Sequence, residues 1–118
     1  MCSVYEMSQD EVEVVGSICE LAYKLDELIE QVGKKELRTE EIQDKLSDIG
    51  YEFLCIDKAS TCSPELFEDV LKDLERAVYN GSIWAVDFYI YHDRVDDFYF
   101  EYRGYITAVL GWCEDSDY

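Results

Sequence analysis

Thirty residues, Ile83 to Trp112 (IWAVDFYIYHDRVDDFYFEYRGYITAVLGW), hold ten aromatic side chains and no lysine. A run this apolar must be covered, and its spacing decides what can cover it. Trp84, Val86, Phe88 and Ile90 alternate with Ala85, Asp87, Tyr89 and Tyr91. Phe98, Phe100 and Tyr102 alternate with Tyr99, Glu101 and Arg103, and Ile106, Ala108, Leu110 and Trp112 with Tyr105, Thr107 and Val109. A period of two in aromatic and β-branched residues predicts strands, over about 83–91, 97–103 and 105–112. The polar run His92 to Asp97 reads as one turn and Arg103-Gly104 as the next.

The first eighty residues carry a different period. Val14, Val15, Ile18, Leu21, Ala22, Leu25, Leu28, Ile29 and Val32 recur at three and four residues, which predicts a helix over about 9–33. Ser8 with Glu11 three residues on is a capping box, and Gly33 is a stop signal. Thr39 is the expected cap of a second helix over about 39–58, with Ile42, Leu46, Ile49 and Phe53 on its buried stripe. Ser63-Pro64 opens a third over about 64–80, closed by Asn80-Gly81. These elements predict a single α+β domain, residues 1–118. Three amphipathic helices would be followed by a three-stranded antiparallel meander, with the helices on one face of the sheet. An all-helical fold is the alternative if the aromatic stretch proves helical.

The chemistry of a catalytic site is hard to assemble from these residues. His92 is the only histidine and falls in a predicted turn. The five cysteines include no Cys-x-x-Cys pair, so a four-ligand zinc site lacks material. The glycines are isolated, with no phosphate-binding loop. Asp93, Asp96 and Asp97 could hold a hard cation, but the glycine and distal glutamate of an EF-hand loop are missing, so they read as a charged turn. The expectation is a protein that is not an enzyme, with no cofactor and no metal. No basic-then-apolar leader opens the chain and no apolar run reaches membrane-spanning length, which predicts a cytoplasmic location. The lead-in 1–7 reads as an arm or extra strand, and residues 113–118 as an exposed acidic tail.

What stands out instead is charge. Twenty-eight acids against ten bases give a net charge of -18. A surface of that sign repels nucleic acid and attracts basic proteins. On the second helix Glu40, Asp44, Asp48 and Glu52 recur every fourth residue, about 6 Å apart along nearly one line. Glu65, Asp69 and Asp73 repeat the pattern on the third, and Glu13, Glu20 and Glu27 recur every seventh residue on the first. Rows of like charge destabilise an isolated helix, so a use for them is expected. The candidate contacts are the second- and third-helix rows, the turn acids Asp93, Asp96 and Asp97, and Tyr89, Tyr91, Tyr99 and Glu101 on the outward sheet face.

In size, acidity and want of catalytic residues the chain resembles phage-encoded inhibitors of restriction and CRISPR nucleases. It is also similar to the immunity proteins that block basic nuclease toxins. The resemblance is one of class, without a shared motif. It implies an acidic inhibitor that occupies the nucleic-acid cleft of a basic nuclease or other nucleic-acid-binding effector as a DNA mimic, touching neither nucleic acid nor membrane itself. An immunity protein, and a homodimerising or adaptor domain built on the aromatic sheet face, are the alternatives.

Overall fold

The computed structural model describes residues 8–91 and 96–116, and these are all-helical. Four helices follow one another, α1 (Gln9–Gly33), α2 (Thr39–Ala59), α3 (Pro64–Ala85) and α4 (Asp96–Ser116). A 3₁₀ turn at Ser60–Cys62 joins α2 to α3, and a π-helical turn at Val86–Ile90 extends α3. Among the described residues there is no strand. The expected α+β architecture is therefore overturned, together with the meander and its outward face.

The reason lies in which alternate residues are buried. In α4 the buried positions are Tyr102, Ile106, Val109 and Cys113, spaced four, three and four. That is a helical stripe. Phe100 and Ala108, which a strand would have placed beside Tyr102 and Ile106, are exposed. Two residues on a helix are about 200° apart, so the period-two partners face opposite ways. Aromatics at almost every position concealed the stripe. Cys113 belongs to it, so the expected tail begins inside α4 rather than after it.

Asn80-Gly81 was expected to end the third helix, yet α3 passes through it. A Cβ at Gly81 would lie 3.0 Å from Cδ1 of Tyr102 and 3.3 Å from Cδ1 of Ile29. Glycine here lets α3 approach α1 and α4 closely. Arg103-Gly104, read as a tight turn, is ordinary α4 backbone, and a Cβ on Gly104 would meet nothing within 4 Å.

Capping shows where sequence signals held and where they moved. The α1 box is formed: Glu11 N–H donates to Ser8 Oγ and Ser8 N–H to Glu11 Oε1, at 3.2 and 2.8 Å. Glu11 also accepts from the Ser63 hydroxyl, tying the start of α1 to the start of α3. That bond occupies Ser63, whose side chain makes no cap bond to its own helix. The cap of α2 is Arg38, one residue before the expected Thr39, and its N–H donates to Glu41 Oε1 at 3.0 Å. At the end of α1 the left-handed position falls on Lys35 (φ 58°), not on Gly33. The bonds from Lys35 N to Val32 O and from Glu36 N to Gln31 O, both 3.0 Å, close a Schellman motif around it.

Contacts fix the topology. Glu11 meets Ser63, Ile29 meets Gly81 and Gly33 meets Trp84, so α1 and α3 run parallel. Phe67 meets Trp112, Arg76 meets Tyr105 and Gly81 meets Tyr102, so α4 runs antiparallel to α3. Tyr102 Oη donates to Asp26 Oδ1 of α1 at 3.1 Å, and Arg103 Nη1 lies 3.6 Å from the same oxygen. The bundle is up-down-up-down but flattened: α1 and α3 touch across the diagonal, while α2 and α4 touch at most marginally. Its extents are 53 × 22 × 20 Å. The core runs along α1, where Val15, Ile18, Ala22, Leu25 and Val32 are wholly buried.

Candidate functional site

α2 is the least embedded helix. Only Ile42, Ile49, Phe53 and Ile56 are buried, spaced seven, four and three, and together they form one narrow stripe toward α1 and α3. The opposite crest carries Tyr51 and Leu54, 70% and 65% exposed, three residues apart and therefore neighbours. α2 thus stands out as a ridge.

The acids on it do not form one line. Four residues advance a helix by about 40° beyond a full turn, so a row of four winds through about 120°. Glu40, Asp44 and Asp48 are exposed, but Glu52 has turned into the seam with α1. There it accepts from Lys24 Nζ at 2.7 Å. That hydrogen bond and the carboxylate's charge hold Lys24 above the usual ammonium range. The α3 row winds in the same way: Glu65 and Asp69 are exposed while Asp73 is half-buried. Lys72 and Arg76 interrupt that row, Lys72 reaching Glu68 at 3.5 Å and Arg76 lying 5.4 Å over the Tyr105 ring.

The remaining expected contacts lie elsewhere. Asp97 and Glu101 are exposed on α4, on the far side of the bundle from α2. Asp93 lies outside the described residues, as do His92 and the side chain of Asp96. The expected tyrosine face does not form, because its members point different ways. Tyr99 is half-buried against the core, its ring 5.0 Å from Trp84 and 6.3 Å from Tyr102. Tyr89 is half-buried against the core, and only Tyr91 is largely exposed.

What the fold does bring together lies on the two flanks of α2. On the α1 flank, a groove of about 490 Å³ joins Glu27 to Asp48 and Glu52, with Tyr51, Lys24 and Lys45 at its edge. On the α3 flank, a groove of about 320 Å³ sets Asp57, Glu68 and Glu75 around Phe53, Pro64 and Leu71. Tyr51, Leu54, Asp57 and Glu75 were not among the expected contacts. Tyr51 was detectable, since it falls off the Ile42–Phe53 stripe. Glu13, Glu20 and Glu27 keep their line better than the four-spaced rows, because seven residues drift by only about 20°. All three are exposed along the outer face of α1.

Among the described residues no three His, Cys, Asp or Glu side chains gather as a metal site, and no helix is long and apolar enough to cross a membrane. The chain matches no protein-family model, and comparison with curated proteins and with solved structures finds no significant match.

Proposed function

We propose that this protein is a non-enzymatic inhibitor that presents its acidic helices to the nucleic-acid cleft of a basic protein, in the manner of a DNA mimic. The ridge of α2 is the observation that carries the reading: exposed carboxylates Glu40, Asp44 and Asp48 flank an exposed Tyr51-Leu54 crest on the helix least committed to the core. Tyrosine at such a place supplies contact area at low entropic cost, and the acids supply steering. Charge density favours the same reading. A net charge of -18 on a 53 Å long axis is about one charge per 3 Å, against one per about 1.7 Å in duplex DNA. Ten bases cannot neutralise 28 acids, and the ion pairs that do form are exposed ones of small worth. On this reading the protein works in a bacterial cytoplasm, where such nucleases act.

The test uses the whole chain immobilised as bait in bacterial lysate. A basic nucleic-acid-binding protein should be retained at about 0.1 M salt and released at about 1 M, where screening reaches contact distance. Excess duplex DNA should also displace it, and the reversal E40K/D44K/D48K, on the exposed ridge, should abolish its capture. A partner that stays bound at about 1 M salt, or that duplex does not displace, refutes charge mimicry.

A further inference from the structure

We propose that the groove between α2 and α3 is a slot for an arginine side chain of the basic partner. The proposal rests on the inhibitor reading and names the contact through which it acts. The groove has an apolar floor and an acidic rim. Buried Phe53 and Leu71 make the floor, and Pro64, Asp57 and Glu75 stand exposed at its edge. The third rim acid, Glu68, is already engaged by Lys72 at 3.5 Å. At about 320 Å³ the space sits at the lower end of ligand-sized pockets, suited to one or two side chains rather than to a folded segment.

This combination selects a cation with an apolar stem. A long basic side chain lays its methylenes on apolar surface and keeps its head at the wet edge. Guanidinium suits the site better than ammonium. It is weakly hydrated and planar, so it can lie on Phe53 and Leu71 with its fork of donors turned to a rim carboxylate. The groove on the other flank of α2 is larger and also acidic, but Lys24 and Lys45 line it, and Lys24 already holds Glu52. Two resident ammonium groups repel an incoming cation. The α3 flank sets one lysine, Lys72, against three acids, where the α1 flank sets two against three.

The experiment titrates the full chain with nona-arginine and nona-lysine peptides by calorimetry at about 0.1 M salt. Two double variants make the same change of charge: D57N/E75Q on the rim, and E114Q/D115N near the end of α4. None of the four side chains is buried, and Ser60 bonds the main-chain carbonyl of Asp57, so the amide leaves that turn intact. The expected result is tighter binding of nona-arginine than nona-lysine, about tenfold weaker binding of nona-arginine to D57N/E75Q, and at most about a twofold loss in E114Q/D115N. Equal losses in the two variants would overturn the slot and leave charge mimicry standing. Failure of both peptides to bind the unaltered chain would overturn both.

Discussion

Replacing Gly81 by alanine tests the packing of α3 against α1 and α4. The new Cβ would sit 3.0 Å from Cδ1 of Tyr102 and 3.3 Å from Cδ1 of Ile29. Neither neighbour can yield easily. Tyr102 is wholly buried, its hydroxyl is held by Asp26 at 3.1 Å, and Ile29 is buried in α1. The helices must therefore move apart by a few tenths of an ångström, and overpacking of this kind costs about 1–3 kcal/mol. Alanine's better helix propensity returns about 1 kcal/mol, leaving a net loss of up to about 2 kcal/mol. Gly50 provides the control, since it lies inside α2 with nothing within 4 Å of its missing Cβ. Gly50→Ala keeps only the propensity gain and should raise stability by about 1 kcal/mol, or about 4 °C in Tm for a domain of this size. Urea and thermal melts followed by circular dichroism measure both. If Gly81→Ala stabilises as much as Gly50→Ala, α3 does not pass Tyr102 at this distance and the α3–α4 register is wrong.

Two further expectations concern buried titratable groups. Burial, reinforced by the Asp26 carboxylate, holds the Tyr102 hydroxyl far above the usual phenol range, and burial beside Cys19 does the same for the Cys113 thiol. The unfolded chain releases these protons near their ordinary values, 10.0 for the phenol and 9.0 for the thiol, while the folded chain keeps them. Stability is therefore whole below about pH 9 and falls as pH rises, by up to about 1.4 kcal/mol per unit for each group. Urea melts between pH 7 and 11 should show this decline, flattened in Tyr102→Phe above about pH 10; an unchanged slope in the variant counts against the buried hydroxyl. Thiol reactivity should divide the same way. Cys55 and Cys62, both exposed, should alkylate in the native state, whereas Cys19 and Cys113 should wait for unfolding. Peptide mapping after brief iodoacetamide treatment reads this directly, and labelling of Cys113 as fast as Cys55 contradicts the packing of α4.

The sequence made α1 legible because its signals agree. A capping box, acids in the first turn and a three-and-four apolar stripe all specify the same helix, and each is present in the fold. In the aromatic stretch the signals conflict. Trp84 and Phe88 are consistent with a strand two residues at a time and with a helix four at a time, and only their stacking at 5.0 Å decides. Gly81 misleads for a related reason. Glycine marks both helix ends and close helix contacts, and nothing local separates a stop from a place where Tyr102 must fit. The acidic residues were legible as an inventory, and their arrangement was not. Glu52 and Asp44 look equivalent in a row of four, yet the helix turns one into a seam with Lys24 and leaves the other in solvent.

That same winding bears on the proposed use of α2 as the docking face. A helix is held in a bundle by its apolar stripe, and α2 has only four buried residues to hold it. Its like charges at Glu40, Asp44 and Asp48 oppose it by a few tenths of a kcal/mol for each pair. Crest positions Tyr51 and Leu54 gain little from the fold, because they are mostly in solvent. A helix under selection for stability alone would carry lysines opposite those acids and polar residues on that crest. α1 has a wide buried stripe, and the four buried residues of α4 are backed by half-buried Phe98, Tyr99, Tyr105, Leu110 and Trp112 against the core, so neither could present such a face without losing it. The residues that weaken α2 as a structural element are the ones a basic partner would find useful. Acids flank the crest, aromatic and aliphatic contact lies on top, and an apolar slot with free carboxylates runs down one side.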